Sequence, residues 1–215
     1  VPVNILGAPE HSRDEIYEMI ARGDPQYIKS NINTLYDAIQ YYYLSSFRVL
    51  QRGEHIDINV DGVYWQTHKS GVEALMTNEG DCSGISALLR YLLEGDYDDV
   101  GYLSYHLPDG TGHVFNYIKE GDSYYFIDLF DIYHAFAETG TPAGIYFGGN
   151  LVKAPSIQKY AEFYRSLYYS GIALFSSHSS ERVSPIGFRD GTYYFPDNIQ
   201  YTFYPTEVNV PRVVT

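Results

Sequence analysis

Residues Gly80 to Leu93 constrain the fold more than any other stretch. Ile85, Leu88, Leu89, Leu92 and Leu93 recur at i, i+3, i+4, i+7 and i+8 and so line one side of an α-helix. Gly80-Asp81 supplies a turn and an N-cap directly in front of that pattern. Cys82, the only cysteine of the chain, therefore falls in the first helical turn. Free backbone N–H groups and the positive end of the helix dipole favour a thiolate there, which is a setting for a nucleophile. The competing reading is packing: position 82 lies three residues before Ile85, and a free cysteine is among the residues most often buried.

Around this helix the pattern changes twice. Upstream, Ser12-Arg13-Asp14-Glu15 opens a short capped helix that Gly23-Asp24-Pro25 ends, after an extended arm over residues 1–10. Apolar residues at helical spacing from Ile28 to Phe47 then predict one long amphipathic helix from Pro25 to about Leu50. Ile56 to Val60 alternates and runs into Asp61-Gly62, a strand and turn; Trp65 and Gln66 lead to a short helix over about Ser70–Thr77. Downstream the period becomes two. Val100–His106, His113–Ile118 and Tyr124–Phe130 read as strands, with turns at Pro108-Asp109-Gly110 and Glu120-Gly121-Asp122. Residues 131–155 read as a long loop, 155–167 as a helix, and the remainder as short strands near 172–175, 186–188, 193–195 and 200–204, with a hairpin turn at Asp190-Gly191. One α+β domain spanning residues 1–215 is expected, with a core at about 70–131, N-terminal helices over 12–50, and a C-terminal helix and strands over 155–210.

Composition narrows the partners. A balance of 14 Lys plus Arg against 27 Asp plus Glu gives −13, which repels phosphate backbones and makes nucleic acid an unfavourable partner. No apolar run reaches the roughly 18 residues of a membrane span. One cysteine excludes an internal disulfide framework and a multi-cysteine zinc site; no His-x-x-x-His pair occurs, so neither a metal nor another cofactor is expected. The 24 tyrosines join apolar area to a polar tip, which suits a wet groove for peptide or glycan as well as the margin of a core. Acidity, tyrosine content and a first residue other than Met lead to the expectation of an exported bacterial protein, extracellular or in the cell envelope.

The hairpin over residues 113–130 carries the second chemical signal. With a two-residue turn, residues whose position numbers add to an odd number share a face, and those of His113 and Asp128 do. If Glu120-Gly121 turn, the two are directly opposite; if Gly121-Asp122 turn, they are diagonal neighbours. In either register the carboxylate can orient the imidazole. Cysteine at a helix start, histidine on a strand and acid on the next strand are the parts of a thiol acyl-transfer site. The Cys82 N–H is one oxyanion donor, and Gln66, Trp65 and Tyr64 are candidates for a second. His11, His55, His68, His134 and His178 have no matching strand-borne acid, whereas His106, ending a strand in the same region, is an alternative partner for the sulfur.

In order and spacing, Gly80-Asp81-Cys82, then Gly112-His113-Val114-Phe115-Asn116, then Tyr124-Tyr125-Phe126-Ile127-Asp128 resemble the transglutaminase-like superfamily, over about residues 70–131. The resemblance implies an α+β, papain-like fold with the cysteine helix packed on an antiparallel sheet. It also implies Cys82 as nucleophile, His113 as acid and base, and Asp128 as the orienting residue. The reaction would be acyl transfer or hydrolysis at amide bonds of a peptide or protein, as a peptidase, a deamidase or an amine transferase. Phe115 stands where that family usually has tryptophan, and Leu129-Phe130 where Pro-Thr often follows the acid. Asp81-Cys82-Ser83-Gly84 also resembles the nucleophile motif of NlpC-type cell-wall endopeptidases, which would make cell-wall peptide the substrate. A third reading keeps the fold without the chemistry, as a peptide- or glycan-binding domain.

Overall fold

The helix predicted from Gly80–Leu93 forms α5 (Cys82–Leu93) in the computed structural model. The structure describes residues 5–50, 57–66, 68–106, 112–130, 151–162, 173–177, 181–183, 186–194, 201–204 and 212–214. Ile85, Leu88, Leu89, Leu92 and Leu93 are all buried. Each such side chain contributes about 1.5–3 kcal/mol on leaving water. At the far end, Lys29 Nζ donates to the Tyr91 and Glu94 carbonyls, placing a cation on the negative end of the helix dipole.

Helices α1 (Arg13–Arg22), α2 (Pro25–Asn31), α3 (Leu35–Leu44) and α4 (Gly71–Thr77) surround α5. The Ser12 capping box with Glu15 starts α1 and left-handed Gly23 ends it. The single long helix expected from Pro25 to Leu50 is two helices. Ile32 turns extended (φ −99°, ψ 112°), and Thr34 caps a new start by accepting from Asp37 N at 3.2 Å. The apolar period hides the break, because Ile28, Ile32, Leu35 and Ile39 all face one core. The arm expected before Ser12 is also anchored: Ile5 and Leu6 are buried, and Tyr36 N donates to the Leu6 carbonyl at 2.8 Å. At Gly71 a Cβ would lie 2.4 Å from the Ala87 carbonyl oxygen, so glycine there lets α4 approach α5 closely.

The strands among the described residues form three sheets. Short β1 (Arg48–Val49) runs parallel to β4 (Glu79–Gly80). A five-stranded sheet has the order β13-β11-β10-β3-β2, built from β2 (Asp57–Val60), β3 (Val63–Gln66), β10 (Gly187–Arg189), β11 (Thr192–Tyr194) and β13 (Arg212–Val214). Its two hairpins turn through Asp61-Gly62 and Asp190-Gly191, each pair at positive φ. Strand β13, parallel to β11, lies beyond the last strand expected from the sequence. A six-stranded antiparallel sheet has the order β12-β9-β5-β6-β7-β8. It comprises β5 (Asp99–His106), β6 (Gly112–Glu120), β7 (Ser123–Ile127), β8 (Leu151–Ala154), β9 (Ala173–Ser177) and β12 (Tyr201–Tyr204).

Helix α5 packs on β5 and β6 from one side, meeting Val100, Ile118, Tyr125 and Ile127. The opposite side carries Leu103, Tyr105, Phe115, Tyr117 and Phe126 beneath α6 (Ile157–Tyr160), with Phe126 and Tyr160 stacked at 3.8 Å. The chain is thus mixed α and β, with strand pairing that is mostly antiparallel. Residues 151–154, expected within the long loop, pair with β7 as β8 because Leu151 and Ala154 bury there. The Pro108-Asp109-Gly110 turn, residues 131–150 of that loop, residues 163–167 of the C-terminal helix, and His55, His134 and His178 lie outside the described residues.

Candidate active site

Cys82 is set by a strand, cap and helix in immediate succession. Arg48 N donates to the Asn78 carbonyl and Leu50 N to that of Gly80, both at 2.9 Å, which pins β4 in front of the helix. Asp81 then caps α5, its Oδ1 accepting from Ser83 N at 3.0 Å and Gly84 N at 3.1 Å. Two of the helix-terminal donors are therefore engaged by a carboxylate, which offsets the dipole expected to act on the sulfur. The Cys82 N–H has no acceptor among the described residues. The thiol is half-buried beside Ala87, Tyr102, Val114 and Val183. It is neither sealed in the core nor freely exposed.

His113 and Asp128 meet on the hairpin as diagonal neighbours. Glu120 pairs with Ser123 across the Gly121-Asp122 turn, whose first residue has the positive φ (60°) that a type II′ turn demands. This is the second of the two registers read from the sequence. The ring Nε2 lies 2.6 Å from Asp128 Oδ2, and each of the two side chains is only 13 % exposed. Cys82 lies near enough to the same imidazole to favour its charged form. Burial by itself would lower the pKa of His113. The hydrogen bond to Asp128, the proximity of Cys82 and the charges of both outweigh it and push the ring up to about 10. His113 is thus a cation at neutral pH, bonded to the Asp128 carboxylate.

Aromatic rings enclose this imidazole. Phe115 stacks on it with centroids 6.2 Å apart, Phe130 meets it edge-on at 5.5 Å, and Tyr105 lies at 5.6 Å. Phe115 and Phe130 thus form part of the wall around the histidine and make no polar contact with it. Asp128 Oδ1 is shielded from solvent with no hydrogen-bond partner among the described residues.

The structure does not join Tyr64, Trp65 or Gln66 to this cluster. They lie on β3 of the other sheet, with Tyr64 and Gln66 exposed and Trp65 packed near Gly187, and no hydrogen bond links them to Cys82, His113 or Asp128 among the described residues. His106 pairs with Gly112 and faces away from His113; its ring packs on Tyr193 at 4.8 Å. Among the described residues no group of three or more His, Cys, Asp or Glu is placed to hold a metal ion, and no helix is long and apolar enough to cross a membrane.

Two residues in contact with the site's framework had weaker sequence signals. Asn116 interrupts the apolar alternation Val114-x-Asn116-x-Ile118, and Ser86 sits within the buried side of α5. Asn116 Nδ2 donates to the Ser86 carbonyl at 3.0 Å and the Gly101 carbonyl at 3.2 Å; Ser86 Oγ donates to the Cys82 carbonyl at 2.7 Å. A polar side chain on a buried stripe was the available clue. No family model, curated protein or solved structure matches the chain.

Proposed function

We propose that the protein is a thiol-dependent acyltransferase or amidohydrolase of the transglutaminase-like, papain-like kind, acting on amide bonds of a peptide or protein through Cys82, His113 and Asp128. The observation that carries this reading is the His113 imidazole paired at 2.6 Å with the shielded Asp128 carboxylate, near the Cys82 thiol. In the first step the Cys82 sulfur, its proton already held by His113, attacks the amide carbon, and its electron pair becomes the new C–S bond as the C=O π pair moves to oxygen. The Cys82 N–H donates to that oxyanion. Protonated His113 then gives its proton to the departing nitrogen, the C–N bond breaks, and a thioester and free amine remain. Neutral His113 next takes a proton from water or from an acceptor amine, whose attack breaks the C–S bond, releases an acid or a new amide and returns the thiolate beside protonated His113. Asp128 holds the ring in one orientation and stabilises its cation throughout.

Alkylation tests this directly. An ordinary thiol is ionised to only about one part in 300 at pH 6, so iodoacetamide labels it slowly there. Cys82 is expected to label at pH 6 faster than the urea-unfolded chain by about 10- to 100-fold, and His113→Ala is expected to abolish that advantage. Equal rates for folded and unfolded wild-type chain would overturn the reading and favour a binding domain without chemistry.

A further inference from the structure

We propose that Ser86 and Asn116 are positioning residues that hold the Cys82-bearing turn of α5 in register with the His113-bearing strand; this rests on the proposed thiol chemistry. Most of the contact between α5 and the sheet is apolar, through Leu88, Leu89, Val100 and Ile118, and apolar contact is non-directional. It resists separation far better than sliding along the helix axis. A thiol and an imidazole that must share a proton need alignment within about 0.5 Å, which directional bonds supply.

The polar bridge lies one turn along α5 from Cys82 and three residues along β6 from His113. Asn116 follows His113 by three residues on β6 and occupies the side of the strand that faces the helix. Its two amide hydrogens go to the Ser86 carbonyl on α5 and the Gly101 carbonyl on β5, so one side chain ties the helix to two strands. Ser86 lies one turn after Cys82, and its hydroxyl donates to the Cys82 carbonyl at 2.7 Å and approaches the Val114 carbonyl at 3.3 Å. Val114 is the residue next to His113 and also touches Cys82. Both Ser86 and Asn116 are buried, 3 % and 1 % exposed, where a misplaced polar group carries a full desolvation penalty and slippage is therefore disfavoured.

The test separates alignment from mere stability by reading Cys82 labelling at two pH values. Ser86→Ala removes one hydroxyl and leaves a good helix former, so a folded protein is expected; Asn116→Ser removes the bridging amide from a site it does not overfill. Both variants should keep the wild-type near-UV circular dichroism. Iodoacetamide labelling at pH 6 should fall at least about tenfold while labelling at pH 10, where any thiol is ionised, stays within about threefold. Ser86→Thr, which retains the hydroxyl, should recover most of the pH 6 rate. Folded Ser86→Ala and Asn116→Ser that label at pH 6 as fast as wild type would overturn the positioning role alone. A wild-type chain with no pH 6 advantage would remove the chemistry itself, and this inference with it.

Discussion

His106 and His113 end and begin two adjacent strands, yet their environments drive them in opposite directions. His106 pairs with Gly112 and His113 with Tyr105, so the one-residue offset sends the two rings to opposite sides of the six-stranded sheet. Part of His106 reaches solvent, but its ring is packed against Tyr193, and a Cβ on Gly112 would lie 2.4 Å from its Nδ1. Burial and the neighbouring His68 push it down to about 3. His113 also bears a burial penalty, and it ends near 10 because Asp128 and Cys82 are there to receive the charge. Desolvation is common to both histidines; what separates a neutral packing ring from a poised cation is a carboxylate on the right side of the hairpin.

The largest expected effect comes from erasing that difference. Asp128→Asn keeps the shape and removes the charge, leaving burial to dominate at His113 as it does at His106. An NMR titration of the imidazole should then move from about 10 to below 6.5. Any substrate turnover should fall on the order of ten-thousandfold, the scale seen when an orienting acid is neutralised in other triads. A ring that still titrates near 10 would mean that Asp128 is not what separates the two histidines.

A smaller effect follows in stability. The folded value of His113 lies above its unfolded value of 6.5, so its stabilising contribution is complete below pH 6.5 and is lost as pH rises through about 10. Urea unfolding of wild type and Asp128→Asn at pH 6, 8 and 10 should therefore give a gap that narrows steadily with pH. A gap of constant size across that range would contradict the pairing.

The contrast also marks what the sequence could carry. Parity placed His113 and Asp128 on one face because a two-residue turn at Gly121-Asp122 transmits register across the hairpin. Local chemistry located the caps at Ser12 and Asp81 and the Asp-Gly hairpin turns in the same way. Harder to read were features set by partners distant in the chain. The break at Ile32–Thr34 is masked by a continuous apolar period, since both helices face one core. Tyr64, Trp65 and Gln66 precede the cysteine helix closely, yet β3 is recruited between β10 and β2 of another sheet. Ser86 and Asn116 bond each other across 30 residues, a distance over which no periodicity speaks.

The smallest expected effect belongs to His106 itself. Its folded value lies below the unfolded 6.5, so between pH 6.5 and about 3 the unfolded chain binds a proton that the folded chain refuses, and stability falls as pH falls. His106→Gln deletes that proton-binding difference. Whatever it costs at pH 7, its unfolding free energy should decline less steeply than that of wild type from pH 6.5 downward. Cys82 labelling at pH 6 should meanwhile stay within about twofold, because the thiol draws on the ring across the sheet. If labelling instead collapsed in His106→Gln and survived in His113→Ala, the two histidines would exchange roles, and the carboxylate at 2.6 Å would be holding a structural ring.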